Sequence, residues 1–155
     1  ALPICTHMSR FIELLMDESL LVTDQLDAFV QSMTQRLGAN IGYLEVTFPF
    51  FRKKNAPLSK LESYMNYDAT LTYRLEKGVL QRGLKVVVPV TTLCPCSKKI
   101  AERGAHNQRS HVTIDIEMNA DVWIEDLIEI AESEASAELF GILKRTDEKF
   151  LTEKA

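Results

Sequence analysis

Cysteine is scarce in this chain of 155 residues: Cys5, Cys94 and Cys96 are the only three. Secreted scaffolds stapled by disulfides carry a denser and usually even set, so this odd count points to a reducing compartment with free or metal-bound thiols. Long apolar runs are missing as well. No stretch approaches the roughly 20 residues of a membrane-spanning helix, and the opening ALPICTHMSR lacks the basic start and apolar middle of a secretory signal. The expectation is a cytoplasmic protein with no membrane partner. Excess positive charge is also absent. The net charge of −4 at pH 7 argues against general nucleic-acid binding, although a local cluster of Lys and Arg could hold a phosphorylated small molecule. There is no Gly-x-x-x-x-Gly-Lys phosphate loop, no Gly-x-Ser-x-Gly elbow and no His-Glu-x-x-His pair, which excludes nucleotide binding through a P-loop or Rossmann turn.

What is present is ordinary globular material, 46% hydrophobic and 26% charged, without an internal repeat or an obvious interdomain linker. Residues 24–37 place Leu26, Phe29, Val30, Met33 and Leu37 on one face at helical spacing, with Thr23 or Asp24 able to cap the start and Gly38 to end it. Gly42 to Phe51 reads as a strand with Leu44, Val46, Phe48 and Phe50 on one side, and the RKKNAPLSK that follows reads as a polar loop. Residues 69–75 alternate again, with Ala69, Leu71, Tyr73 and Leu75 opposite Thr70, Thr72 and Arg74. Lys85 to Val90 is a more continuous apolar strand, and the intervening Glu76 to Gly83, with its two glycines, suits a hairpin or bulged turn. Residues 112–118 alternate most cleanly, Val112, Ile114, Ile116 and Met118 against Thr113, Asp115 and Glu117. A second helix is expected over 121–133 on a stripe of Trp123, Leu127, Ile130 and Ala131, with Trp123 and Phe29 both in the core. Helix, several strands, then helix gives the α+β class with a largely antiparallel sheet.

Between two of these strands, PVTTLCPCSKKIAERGAHNQRSH makes a connection of roughly twenty residues, a length uncommon in compact domains unless functional. It concentrates Cys94, Cys96, His106 and His111 with Lys98, Lys99, Arg103 and Arg109. Thiolate and imidazole are ligands that a borderline-soft divalent metal prefers, and neighbouring cations lower a thiol pKa. A Cys-x-Cys pair is nonetheless a weak signal, since structural zinc sites more often use about two to four intervening residues. From the residues alone, a metal site and a polar loop without ligands both stand. A metal held by three or fewer protein ligands would keep an open position, the catalytic arrangement. Arg10, Lys144 and Arg145 could meet phosphate oxygens or be solvated charge. Glu148 within TDEK is either a surface carboxylate or a ligand.

Four ordered segments, THMSRF at 6–11, LCPCSK at 93–98, GAHNQRS at 104–110, and Lys144-Arg145 with Asp147-Glu148-Lys149, together resemble type IB GTP cyclohydrolase I. The resemblance implies a tunneling fold, in which antiparallel sheets backed by helices assemble into a barrel-like homotetramer with active sites at subunit interfaces. An interfacial place also suits the Cys94–Ser110 loop, which is too polar to bury in one small subunit. By position in the motifs, Cys94 matches a metal-binding and catalytically important cysteine, His106 a second ligand and Glu148 a third, for Zn, Mn or Fe(II). Cys96 matches a motif cysteine of no firm role, and His111 has no counterpart. Arg10, Lys98 and Arg109 are candidates, on charge alone, to neutralise a triphosphate.

The activity implied converts GTP and water to formate and 7,8-dihydroneopterin triphosphate, the first committed intermediate of folate synthesis. In that chemistry, metal-activated water attacks C8 of guanine, the imidazole ring opens, formate leaves, and ribose rearrangement precedes reclosure. A metal can lower the pKa of water from about 16 to about 7, and C8, which carries no good leaving group, requires such a nucleophile. Members of the family extend beyond both ends of this chain, and their C-terminal part supplies a further histidine ligand and a guanine-anchoring glutamate. Residues 1–155 are therefore expected to form a partial domain. The alternatives are an archaeal-type Fe(II) enzyme giving a cyclic phosphate, a noncatalytic purine- or pterin-binding tunneling-fold protein, and a structural zinc module. The joint presence of Cys94, His106 and Glu148 speaks against the noncatalytic binder.

Overall fold

The computed structural model describes residues 25–93, Cys96, Lys99 and residues 107–154. Thr23 and Asp24, read as helix caps, lie outside them. Among the described residues the elements are α1 (Leu26–Leu37), β1 (Ile41–Asn55), β2 (Glu62–Glu76), β3 (Val79–Leu93), β4 (Asn107–Met118), α2 (Ile124–Glu134), β5 (Ala137–Glu138) and α3 (Arg145–Lys154). The strands form one antiparallel sheet in the order β1-β2-β3-β4, and β5 pairs with β3, setting Glu138 opposite Val90 and Ala137 opposite Thr91. The α+β class and the antiparallel sheet agree with the alternation in the sequence. Each of the four long strands runs beyond the span read from its pattern. The chain divides into two compact units, to which β1, β2, β3 and β4 all contribute residues.

The first unit holds α1 with the described residues up to Val46, Leu71–Leu84 and Glu117–Asn119. Leu26, Phe29, Val30 and Met33 are buried along one face of α1, as the helical spacing predicts. Gly38 ends the helix in a left-handed conformation, φ 61°, and donates its N–H to Gln35 O at 3.2 Å, while Ala39 N donates to Thr34 O at 2.9 Å. Gly42 lets β1 approach this helix: a side chain there would collide with Thr34 Cγ2. The hairpin expected within 76–83 is present and tight. Lys77 and Gly78, at φ 51° and 79°, alone connect β2 to β3, a pair of positive φ values that matches the twist of antiparallel strands.

The second unit holds Thr47–Thr70, Lys85–Ile116 and the residues from Ala120 onward. Its interior includes Met65, Tyr67, Ala69, Val86, Val88 and Val90 from the sheet with Leu127, Ile128 and Ala131 from α2. Two expectations fail here. RKKNAPLSK is not all loop: Arg52 to Asn55 continue β1, and the turn is Ala56 to Leu61. Of the stripe expected for the second helix, Leu127 and Ala131 are buried, with Ile128 and Glu132, but Ile130 is 55% exposed and Trp123, which precedes α2 in extended conformation, is 70% exposed. Both regions contribute to an inward salt bridge. Lys54 Nζ donates to Glu132 Oε1 and Glu138 Oε2, both at 2.8 Å, and Tyr67 Oη donates to the same Glu132 oxygen at 2.7 Å. Burial first, and then the Glu132 hydrogen bond, raise the Tyr67 pKa above the usual phenol range.

Candidate metal centre

The connection that carries the Cys-x-Cys motif leaves from the end of β3 and returns at the start of β4, and those strands are neighbours in the sheet. Its two ends therefore lie side by side. Thr92 and Ser110, one on each strand, face each other with Oγ1 and Oγ 3.3 Å apart. Cys94, Lys98 and His106 lie between these two positions in sequence but outside the described residues, and Arg10 lies outside them too. Cys96 is described, exposed, with a free thiol, and Lys99 is exposed too. Arg109 and His111 are exposed on β4, on the side that alternates with half-buried Ser110 and Val112.

Glu148 stands in the first turn of α3. Its backbone N–H donates to Lys144 O at 3.0 Å, and its side chain is exposed. Among the described residues, no ion pair or hydrogen bond engages its carboxylate. The neighbouring Asp147 is the opposite case, with no exposed surface. Its Oδ1 accepts the backbone N–H groups of Leu58 and Ser59, both at 2.8 Å, and its Oδ2 accepts Ser59 Oγ at 2.6 Å and Lys144 N at 3.0 Å. Burial by itself would raise the pKa of this carboxyl, but the bonds from Ser59, Lys144 and Leu58 outweigh it and hold the group well below the usual carboxylate range.

Sequence reasoning passed over Asp147, and it also missed the ion pairs around Lys54. A cavity of about 330 Å³ opens beside those pairs, lined in part by Arg52, Lys53, Lys54, Glu132 and Glu138. Each of its three cations already faces a carboxylate: Arg52 lies 3.8 Å from Glu132, Lys53 lies 2.7 Å from Glu62, and Lys54 is bound as described. It is thus poorly suited to a polyphosphate.

Residues 5–155 match the family model described as type I GTP cyclohydrolase FolE2. The chain belongs to this family. Relatives include the GTP cyclohydrolase FolE2 of Burkholderia thailandensis, 55% identical over 151 residues that make up 97% of this chain and 56% of that protein. The FolE2 of Burkholderia ambifaria is 56% identical over the same 97% of this chain and 56% of its own. That of Nitrosomonas eutropha is 52% identical over 153 residues, 97% of this chain and 57% of its own. The chain thus spans a little over half the length of the FolE2 proteins it matches. The designation these matches carry is FolE2, and the narrower type IB label expected from the motifs gives way to it. Cys94, His106 and Glu148 all fall within the FolE2 match. Among the described residues no three His, Cys, Asp or Glu side chains converge, and two of the expected ligands lie outside them. Thiolate, imidazole and carboxylate together suit a borderline divalent cation. Of the two adjacent acids, Glu148 with its open carboxylate fits a ligand, whereas Asp147, saturated by four donors, does not.

Proposed function

We propose that the full-length protein is a metal-dependent GTP cyclohydrolase, converting GTP and water to formate and 7,8-dihydroneopterin triphosphate within a homotetrameric tunneling fold. The observation that carries this reading is the FolE2 match over residues 5–155, which includes Cys94, His106 and Glu148 in their motifs. Bound by these three residues, a Zn, Mn or Fe(II) ion would supply the Lewis acidity that brings the pKa of water to about 7. The Cys94 thiolate and the Glu148 carboxylate balance the charge of a divalent ion, and neutral His106 leaves that balance unchanged. Arg109 at the start of β4, with Lys98 and Arg10, offers charge-assisted hydrogen bonds to the triphosphate. In that homotetrameric assembly the active sites lie at subunit interfaces.

The test is incubation of the full-length protein with GTP and each metal in turn, measuring formate and, after oxidation, the fluorescent pterin. Turnover should require the metal, and the product should carry a linear triphosphate by mass spectrometry. Chelation should stop turnover and leave the far-ultraviolet circular dichroism intact, whereas a structural zinc module would unfold. No formate or pterin with any of the metals would refute the reading.

A further inference from the structure

We propose that Asp147 is a positioning residue for the metal centre: it clamps the first turn of α3 to the turn between β1 and β2 and so fixes where Glu148 presents its carboxylate. The inference rests on the reading of Glu148 as a ligand. Its starting point is the character of α3, a helix of 10 residues with the sequence RTDEKFLTEK. A helix shorter than about 12 residues is marginal without tertiary support, and here that support is hardly apolar. Over residues 145–153 Asp147 alone is buried, Leu151 is half-buried and Phe150 is 39% exposed. What docks the helix is therefore a carboxylate.

The four bonds to that carboxylate have separate roles. Lys144 N, at 3.0 Å from Oδ2, is the backbone donor just ahead of the helix, so this contact is the backward half of a capping box. Leu58 N, Ser59 N and Ser59 Oγ belong to the turn. That turn is itself closed by Ala56 N to Leu61 O at 2.9 Å and Lys60 N to Ala56 O at 3.1 Å. Glu148 follows directly, and its own N–H bonds to Lys144 O within the same helical turn. The backbone of Glu148 is thus tied to Lys144, whose own N–H the Asp147 clamp holds. Metal ligation tolerates about 0.2 Å in ligand distance, which a fraying helix end would not maintain. Asparagine cannot replace the clamp faithfully, because its amide NH2 would meet N–H donors where Asp147 presents an acceptor.

The experiment measures zinc dissociation constants of the full-length protein by competition with a chromophoric chelator, alongside urea unfolding. Asp147→Asn should weaken zinc binding by about tenfold to a hundredfold, the usual effect of losing a group that orients a ligand. Ser59→Ala, which removes one of the four bonds, should weaken it severalfold. In a Glu148→Gln background, Asp147→Asn should bring no further loss of zinc affinity, because its effect passes through Glu148. If Glu148→Gln weakens zinc binding but Asp147→Asn and Ser59→Ala lower only the unfolding midpoint, Asp147 is structural and the proposal is overturned while the ligand reading survives. Additive losses in the double variant overturn it as well. If Glu148→Gln leaves zinc affinity unchanged, the ligand reading fails and the proposal with it. Should Asp147→Asn not fold, Ser59→Ala decides: unchanged affinity overturns the proposal.

Discussion

Lys54 and Glu132 are 8% and 7% exposed, and a charge so far from water persists only with a partner of opposite sign at hydrogen-bond distance. The 2.8 Å contact between them, with the Lys54 ammonium also 4.6 Å from the Phe140 ring centroid, meets that requirement. Removing one partner strands the other. Lys54→Met should therefore cost about 3–5 kcal/mol in urea unfolding, and adding Glu132→Gln, which keeps an acceptor for Tyr67, should recover much of it. A loss well under about 1 kcal/mol for the single change would contradict this account of the pair. Neither Lys54 nor Asp147 was legible in the sequence. Their partners lie 78 and 88 positions away, and in a run such as RKKN an inward lysine looks like its solvated neighbours. Glu148 was singled out through its motif and not through any physical signal that separates it from Asp147.

Strand alternation is a local property, and it gave the existence and the inward side of β1, β2 and β4, while β3 was read from a continuous apolar run. In β2 the inward alternation continues back through Met65 and Tyr67 and was passed over, while the end of β1 was harder to read because its inward positions beyond the apolar stretch are Arg52 and Lys54. Pattern counting scores those residues as loop. In the second helix an inward charge was again missed: Glu132 is buried against Lys54 and Tyr67, while Trp123 and Ile130 are exposed. The hairpin between β2 and β3 offers a test at this scale. Lys77 at φ 51° adopts a left-handed conformation that suits asparagine better, so Lys77→Asn should stabilise by up to about 1 kcal/mol. Gly78 at φ 79° has nothing within 4 Å of a would-be Cβ, so the cost of Gly78→Ala is one of backbone alone, about 1 kcal/mol or more. Equal and negligible effects from both substitutions in thermal unfolding would rule out the two-residue turn.

For the molecule as a whole, the α+β class followed from the order of periodic segments, while the division into two units did not, since each long strand belongs to both. No helix among the described residues is long and apolar enough to cross a membrane. The candidate site was legible in a different sense. Thiol, imidazole and carboxylate were found by motif, and the FolE2 match over residues 5–155 covers all three. Sequence could not show that β3 and β4 bring the ends of the connecting segment together at Thr92 and Ser110, because that depends on strand order. The central claim is that this chain supplies three ligands to one catalytic metal. Diffraction at the zinc absorption edge from the zinc-loaded full-length protein tests it most directly. The account predicts zinc bound by Cys94 Sγ at about 2.3 Å, a His106 nitrogen at about 2.0–2.1 Å and a Glu148 oxygen at about 2.0–2.2 Å; zinc held elsewhere, with Glu148 pointing into solvent, would contradict it.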